Sequence, residues 1–308
     1  TACIDRHAFS IWMGTKQTDI QQKVLQRKGA YEIVADAYAE AAKIASKKLK
    51  NDYSFIIQVW DHDLPKETKY PKVFVSTSDE SHQAPKQIYD DDFVHIFKQY
   101  VPLAKWGAGQ QDATSIEFSF AGGLIQNKVT ALPLCHLEGV KDQGLSINER
   151  KYDWSWMGQF NPYTRLYFRG QVDNLLSERP DCRSKVLWYD GWNNGEETES
   201  YSDVINNTKI VPVPIGSGSY ESFRFFEAMM CGCVVLNTKL PTTDFYNNAP
   251  HVRLTSWDQI VRAIDILMAD PSRMQVLSDR ARQWYKDFCS PEAISNLIIS
   301  KLEGVSEN

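Results

Sequence analysis

Between Asn206 and Leu236 the chain passes through an apolar β-type run (209–214), a Gly/Ser loop (Gly216, Ser217, Gly218, Ser219) and a helix-forming stretch holding Arg224 and Glu227. Cys231-Gly232-Cys233 then breaks into a second apolar run, 234–236. Strand, helix and strand in that order predict a βαβ unit, and hence an α/β domain. A glycine loop that opens a helix presents backbone N–H groups at the positive end of the helix dipole, which favours a phosphate there. Arg224, in the first turns, can add a forked, charge-assisted grip. Glu227 follows three residues later and shares the same face. A carboxylate there repels phosphate but accepts hydrogen bonds from sugar hydroxyls, so the combination predicts a nucleoside diphosphate held with its ribose. The plainer reading is a βαβ unit in which Arg224 and Glu227 form a structural i,i+3 pair.

Two common phosphate motifs are excluded. Gly216 and Gly218 begin a GxGxxG pattern, but Glu221 stands where its third glycine belongs. The Gly/Ser loop also lies late in the chain, whereas the dinucleotide fingerprint opens its domain, so a dehydrogenase is the weakest alternative. Without a Gly-Lys-Ser/Thr sequence, a P-loop kinase or ATPase fails as well.

The polar, glycine-containing stretch 139–150 reads as a linker. It separates an N-terminal domain (1–145) from a C-terminal domain (146–290), with a terminal helix (291–308) expected to cross back to the first. In the N-terminal half a helix is predicted over 31–50 and strands over 53–60, 73–77, 94–100, 116–120 and 129–134. The C-terminal half predicts strands at 154–160 and 186–189, helices within 162–176 and 201–207, and a helical tail at 257–269, 272–288 and 291–302. Open α/β sheets bind ligands beyond the C-terminal ends of their strands, which puts the loops at Gly158 and Gly216 on one rim. Arg165, opening the helix after Gly158, is a second arginine aimed at the same phosphates, or else an ordinary surface arginine. Ser222 is either a helix cap or a phosphate ligand, and the spacing does not separate the two.

A chain of 308 residues, 43% hydrophobic and 24% charged, is a globular protein with one large core or two ordinary ones. Its net charge of -5 argues against a dedicated partner for nucleic acid or anionic membrane. No stretch reaches the length needed to span a bilayer and no signal peptide opens the sequence, so a cytoplasmic, soluble protein is expected, unless this is the trimmed part of a membrane-anchored one. Six cysteines lie scattered without metal-ligand spacing. Small buried thiols and a reducing compartment explain them better than a zinc site or disulfides, and no metal site is predicted.

The residues from Pro214 to Val235, including Ser222, Arg224, Glu227 and Gly232, resemble the signature of exostosin-type (family 47-like) glycosyltransferases. The likeness extends upstream to Trp156, Met157 and Gly158 and downstream through Ser256-Trp257-Asp258 to Cys289-Ser290-Pro291. In the N-terminal half it touches only 78–81 and 97–100, and soluble members from large algal viruses look nearer than the animal enzymes. The resemblance implies a GT-B-like fold, two Rossmann-like domains facing a central cleft. It implies transfer of a sugar, mostly with inversion, from a UDP-sugar to a hydroxyl of an oligosaccharide or glycoprotein glycan, with no cofactor beyond the donor. For the donor sugar the nearest-looking relatives point to xylose, with glucuronic acid, galactose and N-acetylglucosamine as the alternatives. Glu227 on the ribose and uracil as the base are likewise implied by the resemblance.

In such an enzyme the loop N–H groups, Arg224 and Arg165 would stabilise the departing diphosphate without metal. An inverting transferase also needs a general base from the other domain. Asp79, at the end of the strand 73–77 and in the region of faint likeness, is preferred over the Asp61-His62-Asp63 cluster that ends the strand 53–60. That D-x-D supplies a rival: a metal-dependent GT-A-type transferase in which Asp61 and Asp63 hold manganese. A second rival is a non-catalytic protein that binds a nucleotide sugar or a glycan and needs no base.

Overall fold

The computed structural model describes residues 9–14, 32–59, 70–77, 87, 90–99, 128–136, 139–159, 165–189, 198–216, 221–241 and 244–304. Contacts divide the chain into one unit that runs to Pro133 and resumes at Ser290, and another comprising Leu134–Cys289.

The first unit carries a five-stranded sheet whose order follows the sequence: β1 (Phe9–Gly14), β2 (Ser54–Val59), β3 (Lys72–Thr77), β4 (Phe93–Lys98) and β5 (Val129–Ala131). β1 runs antiparallel to β2, and the remaining pairs are parallel. Phe55, Ile56, Ile57, Val73, Phe74 and Val75 are all buried. A continuous apolar run of this kind is what a parallel strand needs when both of its faces are covered. Helix α1 (Glu32–Ser46) buries Tyr38, Ala41, Ala42 and Ala45. That i, i+3, i+4, i+7 stripe is one helical face, and its alanines let α8 (Pro291–Glu303) lie close against it. Ser290 caps α8, accepting from the Ala293 N–H at 3.1 Å, and Pro291 occupies the first turn, where it removes no needed donor. The β1 strand has no counterpart in the sequence-based expectation, and the strand expected at 116–120 lies outside the described residues.

The second unit has an all-parallel sheet built from β6 (Tyr152–Gln159), β7 (Ser184–Tyr189), β8 (Thr208–Pro212), β9 (Val234–Asn237) and β10 (Val252–Arg253). Its spatial order is β10-β9-β8-β6-β7. Counted from β6 this is the doubly wound order 2-1-3-4-5, whose direction of winding reverses between β6 and β8. The helices are α2 (Leu166–Glu178), α3 (Thr198–Asn206), α4 (Phe223–Met230), the short α5 (Asp244–Asn247), α6 (Ile260–Met268) and α7 (Pro271–Cys289). Phe168, Val172 and Leu175 form the buried stripe of α2, and they pack with Trp154, Trp156, Ile210, Val234, Trp257 and Ile264 in one core. A second aromatic group joins α4 to α7: the Trp284 ring lies 5.7 Å from Phe225 and 6.1 Å from Phe226. The α/β class expected from the sequence is the one the chain adopts, with two predominantly parallel sheets flanked by helices.

The stretch 139–150 is held to this second unit. Arg150 is 1% exposed and donates to the carbonyls of Thr208 (2.7 Å), Cys231 (2.7 Å) and Leu145 (3.1 Å). Arg282 of α7 reaches the carboxylate of Asp142 at 2.7 Å. At the start of β6, buried Asp153 accepts from the Arg183 N–H (2.9 Å), the Arg183 guanidinium (3.0 Å) and Lys209 Nζ (2.8 Å).

Burial pushes the Asp153 carboxyl up, but the bonds from Arg183 and Lys209 outweigh it and hold the group below its ordinary value. Its stabilising contribution is therefore complete above the unfolded-state pKa of about 3.9 and is lost as pH falls through the lower folded value. Asp153→Asn should destabilise by roughly 3 kcal/mol at pH 7, because Lys209 loses its buried partner. The gap in melting temperature between wild type and variant should close as pH drops below about 4. A gap that stayed constant down to pH 3 would refute this account of Asp153.

Candidate functional site

The site grows out of the point where β6 and β8 part. The two strands pair at Tyr152–Thr208 and Trp154–Ile210, and no further pair follows toward their C-terminal ends. A crevice at such a switch point is where doubly wound sheets hold ligands. Arg165 crosses it. Its Nε donates to the Ile215 carbonyl beyond β8 at 3.2 Å, and its Nη1 to the Gln159 carbonyl at the end of β6 at 3.0 Å. Arg165 is 7% exposed, so the surface-arginine reading does not describe it.

Arg224, in the first turn of α4, comes to the same place. It donates through Nη2 to the Met157 carbonyl of β6, and its Cζ sits 4.3 Å from the centre of the Trp156 ring. The Cζ of Arg165 lies 5.5 Å from that ring. One fully buried indole thus carries both guanidinium groups, which the face of its π system attracts. Gly158 makes room for this arrangement. A Cβ built there would lie 2.7 Å from the Trp156 ring and 3.1 Å from Arg224 Nη2.

An arginine has five N–H donors, and the Met157 carbonyl takes one from Arg224. Two cations gathered at the carbonyl ends of parallel strands can bind a dianion and can stabilise negative charge that develops on a leaving group. α4 adds its own N-terminus. Ser222 is its N-cap residue, with extended backbone (φ -148, ψ 134), but its side chain accepts no hydrogen bond from the first turn. Of the two readings left open for Ser222, the side-chain cap is thus not the one this geometry provides. Gly216 follows Ile215 directly, next to Arg165. Ser217, Gly218, Ser219, Asp79, Asp61 and Asp63 lie outside the described residues.

Glu227 sits one turn beyond Arg224 and is 2% exposed. Its Oε2 accepts from the hydroxyl of Tyr201, on α3, at 2.5 Å. Tyr201 is absent from the sequence-based candidates, because nothing in the spacing of residues 201 and 227 announces the contact. The neighbouring Glu221 is also buried and accepts from the Tyr246 hydroxyl at 2.9 Å. Cys231 and Cys233 are fully buried, and burial pushes both thiols up, so they are protonated and inert at neutral pH. Among the described residues no group of three His, Cys, Asp or Glu side chains could hold a metal ion. No helix among them is long and apolar enough to cross a membrane.

Residues 169–293 match the model of a glycosyl transferase-like family, and residues 1–51 match a family of unknown function (DUF7178). No curated protein matches the chain. Among solved structures it is similar to sucrose-phosphate synthase from Thermosynechococcus elongatus, at 15% identity and a TM-score of 0.48, over 77% of this chain and 75% of that one. It is also similar to Anabaena HepE in complex with UDP-glucose, at 11% identity and a TM-score of 0.44, over 77% and 73%. For the pneumococcal O-GlcNAc transferase GtfA in complex with UDP and GlcNAc the values are 10% and 0.45, over 77% of this chain and 53% of that one. The chain therefore spans about half the length of the pneumococcal protein. The segment 169–293, which contains Arg224, Glu227 and the helices around them, is thus similar to a glycosyl transferase-like family.

Proposed function

We propose that this chain is an inverting glycosyltransferase of the GT-B type that moves a sugar from a UDP-sugar to a hydroxyl of a glycan acceptor. The observation that carries the reading is the pair Arg165 and Arg224, held around Trp156 at the switch point of the second sheet. The match of residues 169–293 to a glycosyl transferase-like family supports it independently.

In the reaction the acceptor oxygen attacks the anomeric carbon, and the bond from that carbon to the phosphate oxygen breaks. UDP leaves with the electron pair, and a carboxylate takes the acceptor's proton. The two arginines and the N–H groups at the start of α4 face the charge that gathers on the leaving phosphate, which lowers the barrier without reorganisation. Glu227 accepts from the ribose. Asp79 is the base on this reading and xylose the sugar, both drawn from the resemblance to exostosin-type enzymes. The acceptor is an oligosaccharide or a glycoprotein glycan. We place this work in a reducing compartment such as the cytoplasm, which suits small buried thiols such as Cys231 and Cys233.

Thermal unfolding against UDP, GDP, CMP, NAD and a panel of UDP-sugars, each with EDTA and with manganese, tests this. A ligand at one hundred times its Kd stabilises by about 2.7 kcal/mol, a shift of several degrees. UDP and one UDP-sugar should shift the melting temperature equally in EDTA and in manganese. A shift that appears only with manganese would transfer the chemistry to Asp61 and Asp63, and no shift with any nucleotide would end the glycosyltransferase reading.

A further inference from the structure

The contact between Tyr201 and Glu227 joins α3 to α4 through a part-buried polar pair. Glu227 lies one turn past Arg224 along α4 and is 2% exposed, and the Tyr201 hydroxyl donates to its Oε2 at 2.5 Å. A carboxylate taken out of water needs donors, and its position is set by the donors it has. Burial and the charge of Glu227 push the Tyr201 phenol well above its ordinary value, so it remains a protonated donor at any physiological pH. The direction of the bond is thereby fixed: the phenol gives and the carboxylate receives. Tyr201 also projects from α3 (Thr198–Asn206), the helix that precedes β8 in the chain. It therefore braces Glu227 from an element that the phosphate loop does not belong to.

We propose that Tyr201 is a positioning residue that holds the Glu227 carboxylate to accept the vicinal ribose hydroxyls, making the site selective for ribonucleotides over their deoxy counterparts. The proposal rests on the nucleotide-sugar reading above and adds to it the origin of ribose selectivity. A diphosphate anchored by Arg224 fixes one end of the nucleotide. The sugar then gains its hydrogen bonds only if the carboxylate already points at the diol. A rigid acceptor that must be satisfied rejects a ligand lacking the hydroxyl more strongly than a mobile one does.

The experiment is calorimetric titration of UDP and of 2′,3′-dideoxy-UDP into wild type, Tyr201→Phe and Glu227→Gln. Wild type should prefer UDP. Tyr201→Phe should weaken UDP by roughly three- to tenfold, the worth of one hydrogen bond, and leave dideoxy-UDP within about twofold. Glu227→Gln keeps an acceptor for the phenol and should also compress the preference, so the two variants together should be non-additive. Equal losses for both ligands in Tyr201→Phe, or none, would overturn the positioning role while the nucleotide reading stood. Failure of wild type to bind UDP at all would overturn both.

Discussion

Arg224→Ala should lower kcat/KM for the UDP-sugar by about a hundred- to a thousandfold, the usual consequence of removing one preorganised donor from a developing oxyanion. The side chain is poised for this role by three features that converge on one strand. The Trp156 ring lies under its guanidinium, the Met157 carbonyl takes one N–H, and Gly158 leaves the space that a Cβ would fill. All three fix orientation, so little reorganisation is left when charge develops on the phosphate. Arg224→Lys should recover less than about a tenth of the lost activity, since an ammonium neither stacks on the indole nor presents a fork. Stability should change little by comparison. One hydrogen bond and a cation–π contact contribute about 1–2 kcal/mol together, leaving the variant folded under assay conditions. Binding of UDP should fall much more than binding of uridine, because the arginine is directed at phosphates. The assay is steady-state turnover with nucleotide titration alongside. Activity within about threefold of wild type would remove Arg224 from the transition state.

The part of the molecule that carries this prediction was partly legible beforehand, and the reasons differ residue by residue. β8, α4 and β9 follow from a local pattern: apolar β-type runs on either side of a helix bounded by glycines. That pattern acts over neighbours in the chain, so the alternation of residue types reports it. Arg224 stood out for its place in the first turn of α4, a matter of spacing along one helix. Trp156 enters only through the family resemblance, since a tryptophan in a strand otherwise reads as core, and core it is. What it does for Arg165 and Arg224 arises only when the 2-1-3-4-5 order brings β6 beside β8, and strand order is a property of the whole sheet. The same holds for Tyr201, whose partner is 26 residues away on another helix. Arg150 shows the limit most clearly. In sequence it ends a polar, glycine-containing stretch that reads as a linker, yet it is 1% exposed and binds three backbone carbonyls. Polarity predicts solvent only where no buried acceptor is waiting, and here the end of α4 and the start of β8 supply acceptors.

The end of α4 supports the second large effect. Gly232→Ala should destabilise the protein by roughly 2–4 kcal/mol, from left-handed backbone strain together with steric displacement of a half-buried arginine. Gly232 has φ +67, and the turn around it satisfies the last carbonyls of the helix: its own N–H bonds to the Met229 carbonyl at 3.0 Å and the Cys233 N–H to that of Ala228 at 2.8 Å. This is the paired bonding of a Schellman stop, for which a residue without Cβ is favoured. Space tightens the requirement further. A Cβ at Gly232 would lie 2.6 Å from Arg282 Cζ and 2.8 Å from Ser278 Oγ. Arg282 cannot swing away without loss, because it also holds Asp142 at 2.7 Å, the Leu145 carbonyl at 2.9 Å and the Cys231 carbonyl at 3.2 Å. Those two carbonyls are shared with Arg150, so a shift of one arginine disturbs the other. Melting temperature should fall by about 5–15 °C in the single variant, scaled for a unit of this size. In an Arg282→Ala background the same substitution should cost less, about 1–2 kcal/mol of backbone strain plus the adjustment of the Ser278 hydroxyl, because the clash with Arg282 is gone. A single variant that melted within about 2 °C of wild type would show that the turn relaxes freely, and equal costs in both backgrounds would show that Arg282 does not constrain it.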